Sequence, residues 1–160
     1  MIYRILAINP GSTSTKIAVY DNEKQILVKS IDHKVEDLEK YDKVQEQFEM
    51  RKEKVLKALK ENNIKLDSLS AIVGRGGLLL PVKSGAYLVN DEMIDRLINK
   101  PVLEHASNLG AIISYEIAKN LGINAYIYDS VSVDELTDVA RLSGVNGMDR
   151  ECLSHALNSR

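Results

Sequence analysis

Hydrophobic positions come in short runs separated by polar clusters. Ile2, Ile5, Leu6, Ala7 and Ile8 form a nearly continuous apolar stretch of strand length, which predicts a buried strand. After a polar segment, residues 16–20 (Lys-Ile-Ala-Val-Tyr) are again apolar and β-branched. Asp21-Asn22-Glu23-Lys24 is a turn cluster, and residues 25–29 make a third strand. Three strands joined by short turns imply an antiparallel meander. Residues 30–42 are polar and predict a loop. From Lys43 to Asn62 the period changes: Val44, Phe48, Val55 and Leu59 share one helical face, with Lys and Glu opposite. Sustained heptads are missing, so this is a solvated amphipathic helix and not a coiled coil.

Leu69–Val73 predicts a strand that runs into Gly74-Arg75-Gly76-Gly77. Residues 78–81 and 85–89 are extended or loop. Asn90, followed by Asp91 and Glu92, is an N-cap with acids in the first turn; Pro101 closes that helix. A longer helix spans 107–121, with Leu109, Ile112, Ile113, Ile117 and Leu121 as its stripe and Gly122 as its stop. Residues 125–129 predict a strand ending in Asp129. Asp134 is an N-cap candidate for a segment starting at Glu135, and a last helix is expected from near Asp149 to Arg160. The order β-β-β-α-β-α-β-α predicts an α/β domain: a three-strand meander, then alternating helices and strands in a mixed sheet with helices on its faces.

Composition narrows the functional classes. The 160 residues are 44% hydrophobic and 28% charged, which fits one soluble domain with a sizeable core. Net charge is -2, so no basic field points to nucleic acid or an anionic membrane. Cys152 is the only cysteine, which excludes a disulfide within the chain and favours a reducing, cytoplasmic compartment. No apolar run approaches the ~20 residues of a membrane span. Three histidines without a Cys/His cluster argue against structural zinc.

The candidate chemistry is local. INPGSTSTK (8–16) places Asn9, Gly11, four consecutive hydroxyl residues and Lys16 between two strands. It lacks the second glycine of the helix-opening phosphate loop GxxxxGK[ST]. Two readings stay open: a polar hairpin turn, or a hairpin whose amides, Ser12 and Ser14 hydroxyls and Lys16 hold phosphate. Arg75, set among glycines at a strand end, suits a bidentate contact to phosphate or carboxylate, or is a solvated turn residue. Asp129 lies at the strand edge where α/β sheets bind ligands; it could hold Mg²⁺ through water, or be a turn or capping residue. His155 and His105 are structural or functional, Cys152 reads as a small core residue, and His33 in the charged loop is assigned no role.

These segments have a familiar order. INPGSTSTK, VGRGG (73–77), EHASNLGAIISYEIAK (104–119), YIYDSVSVDE (126–135) and RECLSHALN (150–158) are collinear with the motifs of butyrate kinases, which belong to the acetate kinase family of acyl kinases. The chain resembles that family along its whole length. The resemblance implies an actin-like, ribonuclease H-like fold, with ATP/ADP and Mg²⁺ as cofactors. It implies reversible transfer of the ATP γ-phosphoryl group to butyrate or a branched short-chain fatty acid, giving an acyl phosphate. Asn9, Gly11, Ser12, Ser14 and Lys16 then match the phosphate hairpin. Arg75 matches the arginine that orients the acid or the phosphoryl group, with Gly76, Gly77 and His105 beside the substrate. Asp129 matches the acid that organises Mg²⁺ and the attacking oxygen, and His155 the histidine that stabilises the transferring group.

Acetate kinases read roughly NAGSSSLK and HRVVHGG where this chain has NPGSTSTK and GRGG, which favours the butyrate branch. Val82, Leu103 and Ile113 are candidates for the acid pocket. The resemblance also implies that residues 1–160 are an N-terminal domain. A second domain, absent from this chain, would supply the adenosine pocket; the chain alone is expected to be inactive. Homo-oligomers are possible. The alternatives are an acetate or propionate kinase, and a non-catalytic actin-like nucleotide- or partner-binding module.

Overall fold

A computed structural model describes residues 1–159. Its centre is a six-stranded mixed sheet. Strands β1 (Arg4–Pro10), β2 (Ser14–Asp21) and β3 (Lys24–Asp32) form the antiparallel meander. Strands β4 (Ala71–Arg75) and β6 (Asn124–Tyr128) extend it in parallel beyond β1, and the two-residue strand β5 (Tyr87–Leu88) pairs antiparallel to β6. The spatial order is β3-β2-β1-β4-β6-β5. The mixed sheet and the meander are as the pattern predicts.

Helix α2 (Phe48–Glu61), led by a single 3₁₀ turn, and helix α4 (Asn108–Leu121) pack on one face of this sheet. Leu6, Ile8, Ile17, Val19 and Ile72 from the strands meet Val55, Leu59, Leu109, Ile113 and Ile117 from the helices to form the core. A short helix α1 (Val35–Leu38) lies in the polar loop, and α3 (Asp91–Asn99) packs on α4. Asn90 caps α3 by accepting a hydrogen bond from the Met93 amide at 2.8 Å, and Gly122 ends α4 in the left-handed conformation, both as expected. No described helix is long and apolar enough to cross a membrane.

The C-terminal part differs from the expected helix. Helix α5 (Asp138–Arg141) leads into a hairpin of β7 (Leu142–Val145) and β8 (Met148–Asp149), and only Ala156–Ser159 coils, as a 3₁₀ turn. The hairpin turns at Asn146-Gly147, where Gly147 has φ +75, the left-handed geometry a tight turn needs. Asp134 is not a helix cap either. Thr137 caps α5, while Asp134 accepts from the Leu136 amide and pairs with Arg141 at 2.7 Å.

The strand-to-helix packing is unusually close at one point. A Cβ on Gly74 would stand 2.2 Å from the Gly110 carbonyl oxygen, and one on Gly110 would stand 2.3 Å from that of Arg75. Glycine at both positions lets β4 and α4 touch backbone to backbone. Gly74→Ala or Gly110→Ala is expected to lower stability by about 2–3 kcal/mol, because the backbones must separate to admit a methyl group; urea denaturation checks this.

Candidate active site

The GST segment is a hairpin tip. Pro10–Thr15 and Asn9–Lys16 are its last cross-strand pairs, and the Gly11 amide donates to the Ser14 carbonyl at 2.7 Å. What shapes the tip comes from elsewhere: Arg51 of α2, a fully buried side chain. Its Nη1 donates to the carbonyls of Gly11 (2.8 Å) and Ser14 (3.3 Å) and to Thr15 Oγ1 (3.2 Å). Its Nη2 donates to the Ser12 carbonyl (3.0 Å) and to Gln47 Oε1 (2.8 Å), and Nε also reaches Gln47 at 3.1 Å. Three carbonyls of the tip are thus drawn toward the helix. The amides of Ser12 and Thr13 have no acceptor among the described residues. The Ser12 and Thr13 side chains are exposed at the tip.

Sequence reading missed Arg51. It sits in a Lys- and Glu-rich helix, where an arginine reads as solvated. The available signal was its register: three residues after Phe48 and four before Val55, on the apolar stripe. His33 was missed too. It is 4% exposed, its Nε2 lies 2.8 Å from Thr15 Oγ1, and its amide donates to the Thr13 carbonyl at 2.9 Å. Burial first, then Arg51 and Lys54, pushes its pKa down to about 4, so it is neutral and supports the hairpin from below.

The ends of β4 and β6 bring the other candidates together. Arg75 donates to Asp129 Oδ2 through Nε (3.0 Å) and Nη2 (2.8 Å), and through Nη2 to Asn158 Oδ1 (2.8 Å). Asp129 follows β6 directly and is itself left-handed, at φ +52, a conformation Asp tolerates better than most residues. This turns its carboxylate back toward Arg75 and lets Oδ1 accept from the Leu157 amide at 3.1 Å. His155 Nδ1 lies 2.6 Å from the Asp129 carbonyl oxygen, which can only accept, so Nδ1 carries the proton. Burial lowers the His155 pKa, and Arg75 adds to that against the opposing carbonyl bond.

A cleft of about 590 Å³ unites the two clusters. Asn9, Gly11, Ser12, Ser14 and Lys16 line one side; Arg75, His105 and His155 line the other. Asp129 sits just behind Arg75, on an adjoining apolar cleft of about 480 Å³ that Asn9, Lys16 and Arg75 share. His105 Nδ1 accepts from the Ser107 amide at 3.2 Å, so its Nε2 holds the proton in the neutral ring. Gly76 and Gly77 are buried where Ser130 and Asn108 press against the backbone: added Cβ atoms would come within 2.8 and 2.3 Å of them. The Gly76 amide is committed to the Tyr128 carbonyl at 2.8 Å. The three pocket candidates do not line this cleft. Ile113 is in the core, Leu103 is exposed, and Val82 lies in a separate groove beside Leu79 and Met93.

The fold is similar to that of solved acetate kinases. An acetate kinase from Entamoeba histolytica aligns with 90% of this chain and 39% of its own, at a TM-score of 0.54 and 14% identity. That from Porphyromonas gingivalis aligns with 90% of this chain and 41% of its own, at 0.55 and 12% identity. No family model matches the chain. In sequence it is similar to two butyrate kinases, each matched over part of its length. It is 52% identical over 159 residues to butyrate kinase 1 of Clostridium acetobutylicum and 49% identical over 160 residues to butyrate kinase 2 of the same organism. These matches cover 99% and 100% of this chain but 45% of each relative, so the chain spans about half their length, the N-terminal half. The resemblance read from the motifs is borne out along the chain.

The buried neutral His33 makes stability depend on pH. Its folded pKa of about 4 lies below the ordinary value of 6.5. The unfolded chain therefore takes up a proton first as pH falls, and this contribution, complete above pH 6.5, is lost toward pH 4. Between pH 7 and 4.5 the loss attributable to His33 is expected to be about 2 kcal/mol. Urea titrations of wild type and His33→Gln at both pH values should show a flatter dependence in the variant.

Proposed function

We propose that this chain is the first domain of a butyrate kinase, which transfers the γ-phosphoryl group of ATP reversibly to butyrate or a branched short-chain acid. The observation that carries the reading is the shared cleft, in which a hydroxyl-rich hairpin faces Arg75, His105 and His155. Phosphoryl transfer needs alignment and charge neutralisation more than covalent chemistry, and a carboxylate acceptor is already ionised at neutral pH. Asn9, the free amides and hydroxyls of the tip and Lys16 hold the nucleotide's terminal phosphates. Asn9 does so without the repulsion an acid would add. Arg75 has Nε and Nη2 held by Asp129 and Asn158 and turns Nη1 to the acid or the transferring group.

Asp129 and Mg²⁺ fit together in a limited way. One carboxylate oxygen is taken by Arg75 and the other by the Leu157 amide. No group of three or more His, Cys, Asp or Glu side chains could cage an ion among the described residues. That donor set suits an ion that keeps its waters and rides on the phosphates, as Mg²⁺ does. When bound, the ion neutralises phosphate charge, and Asp129 is the residue that would hold it through water. Asp129 also anchors Arg75 and His155. His155 spends its Nδ1 proton on the Asp129 carbonyl, so it stabilises the transferring group only when Nε2 is protonated as well. A polyanion in the cleft favours that charged form and opposes the effect of burial.

The adenosine pocket and the opposing wall belong to a second domain, and the isolated chain is expected to be inactive. Short-chain acid, acyl phosphate and that domain are the proposed partners, with self-association possible. A single unpaired cysteine favours the cytoplasm. Trapping acyl phosphate with hydroxylamine tests the reading: the two-domain protein should give product with butyrate and MgATP, more slowly with acetate. Equal or greater turnover of acetate would overturn the butyrate assignment, and no product with any acid would overturn the kinase. In the active protein, Arg75→Ala should lower kcat by about 10²–10³, the usual cost of removing a donor to developing charge.

A further inference from the structure

We infer that Arg51, which no motif contains, is a positioning residue whose buried charge makes the hairpin tip an anion site. The inference rests on the proposed function for the identity of the anion, a polyphosphate chain. Three observations lead to it. The guanidinium is fully buried, yet every acceptor it meets is neutral: three backbone carbonyls, the Thr15 hydroxyl and the Gln47 amide. No carboxylate pairs with it among the described residues, and burial alone lowers its pKa, to about 10, so it is charged at neutral pH. It also lies on the wall of the phosphate-side cleft, with Gln47.

A buried cation without a counter-ion is costly, and proteins ordinarily pair such groups. Here the missing negative charge has a natural source, which is the ligand. The same interactions set the geometry. Because the carbonyls of Gly11, Ser12 and Ser14 turn toward Arg51, the Ser12 and Thr13 amides are left for the cleft side. The guanidinium thus orients the donors and supplies a fixed positive potential behind them, at short range and with little water to screen it. A purely structural arginine would need its donors but not its charge. That difference is measurable.

Gln47→Glu keeps both hydrogen bonds to Arg51 and cancels its charge. Arg51→Lys keeps the charge and gives up the fork; Arg51→Gln keeps some donors and gives up the charge. Binding of tripolyphosphate to the two-domain protein is read by calorimetry, with urea denaturation as the measure of folding. Gln47→Glu should be at least as stable as wild type and bind at least tenfold more weakly. Arg51→Lys should keep affinity within about fivefold of wild type, whereas Arg51→Gln should lose thirtyfold or more. If Gln47→Glu binds like wild type, or if the Lys and Gln variants lose affinity equally, Arg51 is scaffolding and the inference is overturned. Failure of wild type to bind tripolyphosphate overturns it as well. A wild type that binds with this charge dependence but makes no butyryl phosphate sinks the kinase reading and leaves this one standing. An active kinase indifferent to Gln47→Glu does the reverse.

Discussion

The close contact between β4 and α4 is the constraint on which the site depends. Two glycines, Gly74 and Gly110, let a strand and a helix meet without side chains between them. The strand ends in Arg75 and the helix starts just after His105, so the same contact places both groups on one edge of the sheet. Gly76 and Gly77 continue that tight packing against Ser130 and Asn108. The glycine-rich run around Arg75 thus serves the backbone's approach to its neighbours more than the exposure of the arginine.

Around this edge the two arginines are held in opposite ways. Arg75 is paired with a carboxylate and partly exposed; Arg51 is buried and bound only by neutral oxygens. The first is a cation whose charge is largely answered within the fold, the second a cation whose charge is not. Polar support runs deeper still, through Thr15 to a neutral His33. The hairpin is therefore not a free turn that closes on a ligand. Its carbonyls are fixed from behind before any ligand arrives.

Much of this was legible in the sequence because it rests on local rules. Strand ends mark ligand edges, so Arg75 and Asp129 could each be placed at one from the pattern of 69–73 and 125–129; that the two strands are neighbours was not legible. Asn90 and Gly122 declared the helix boundaries they make. Arg51 and His33 were hidden because their surroundings are written in charged residues that read as solvent-facing; only tertiary packing converts one position of such a helix into a buried one. The C-terminal stretch failed for the opposite reason. Its composition favours a helix, but contacts of Asn158 and Leu157 with Arg75 and Asp129 hold it against the sheet edge. The acid pocket was not legible, since apolar residues that line a cleft and those that fill a core look alike in a sequence.

The Arg75–Asp129 pair has a thermodynamic corollary. An acid that engages the Arg75 fork does not neutralise a lone cation; it trades places with, or shares, an internal carboxylate already 2.8 Å away. Such a step is an ion exchange in which the number of close charge pairs is nearly conserved. Exchange of this kind is only shallowly dependent on ionic strength, unlike capture of a polyanion by uncompensated charge. If the cleft takes the acid and the polyphosphate proposed for it, the two are recognised under different rules: one drawn in by field, the other chosen by fit.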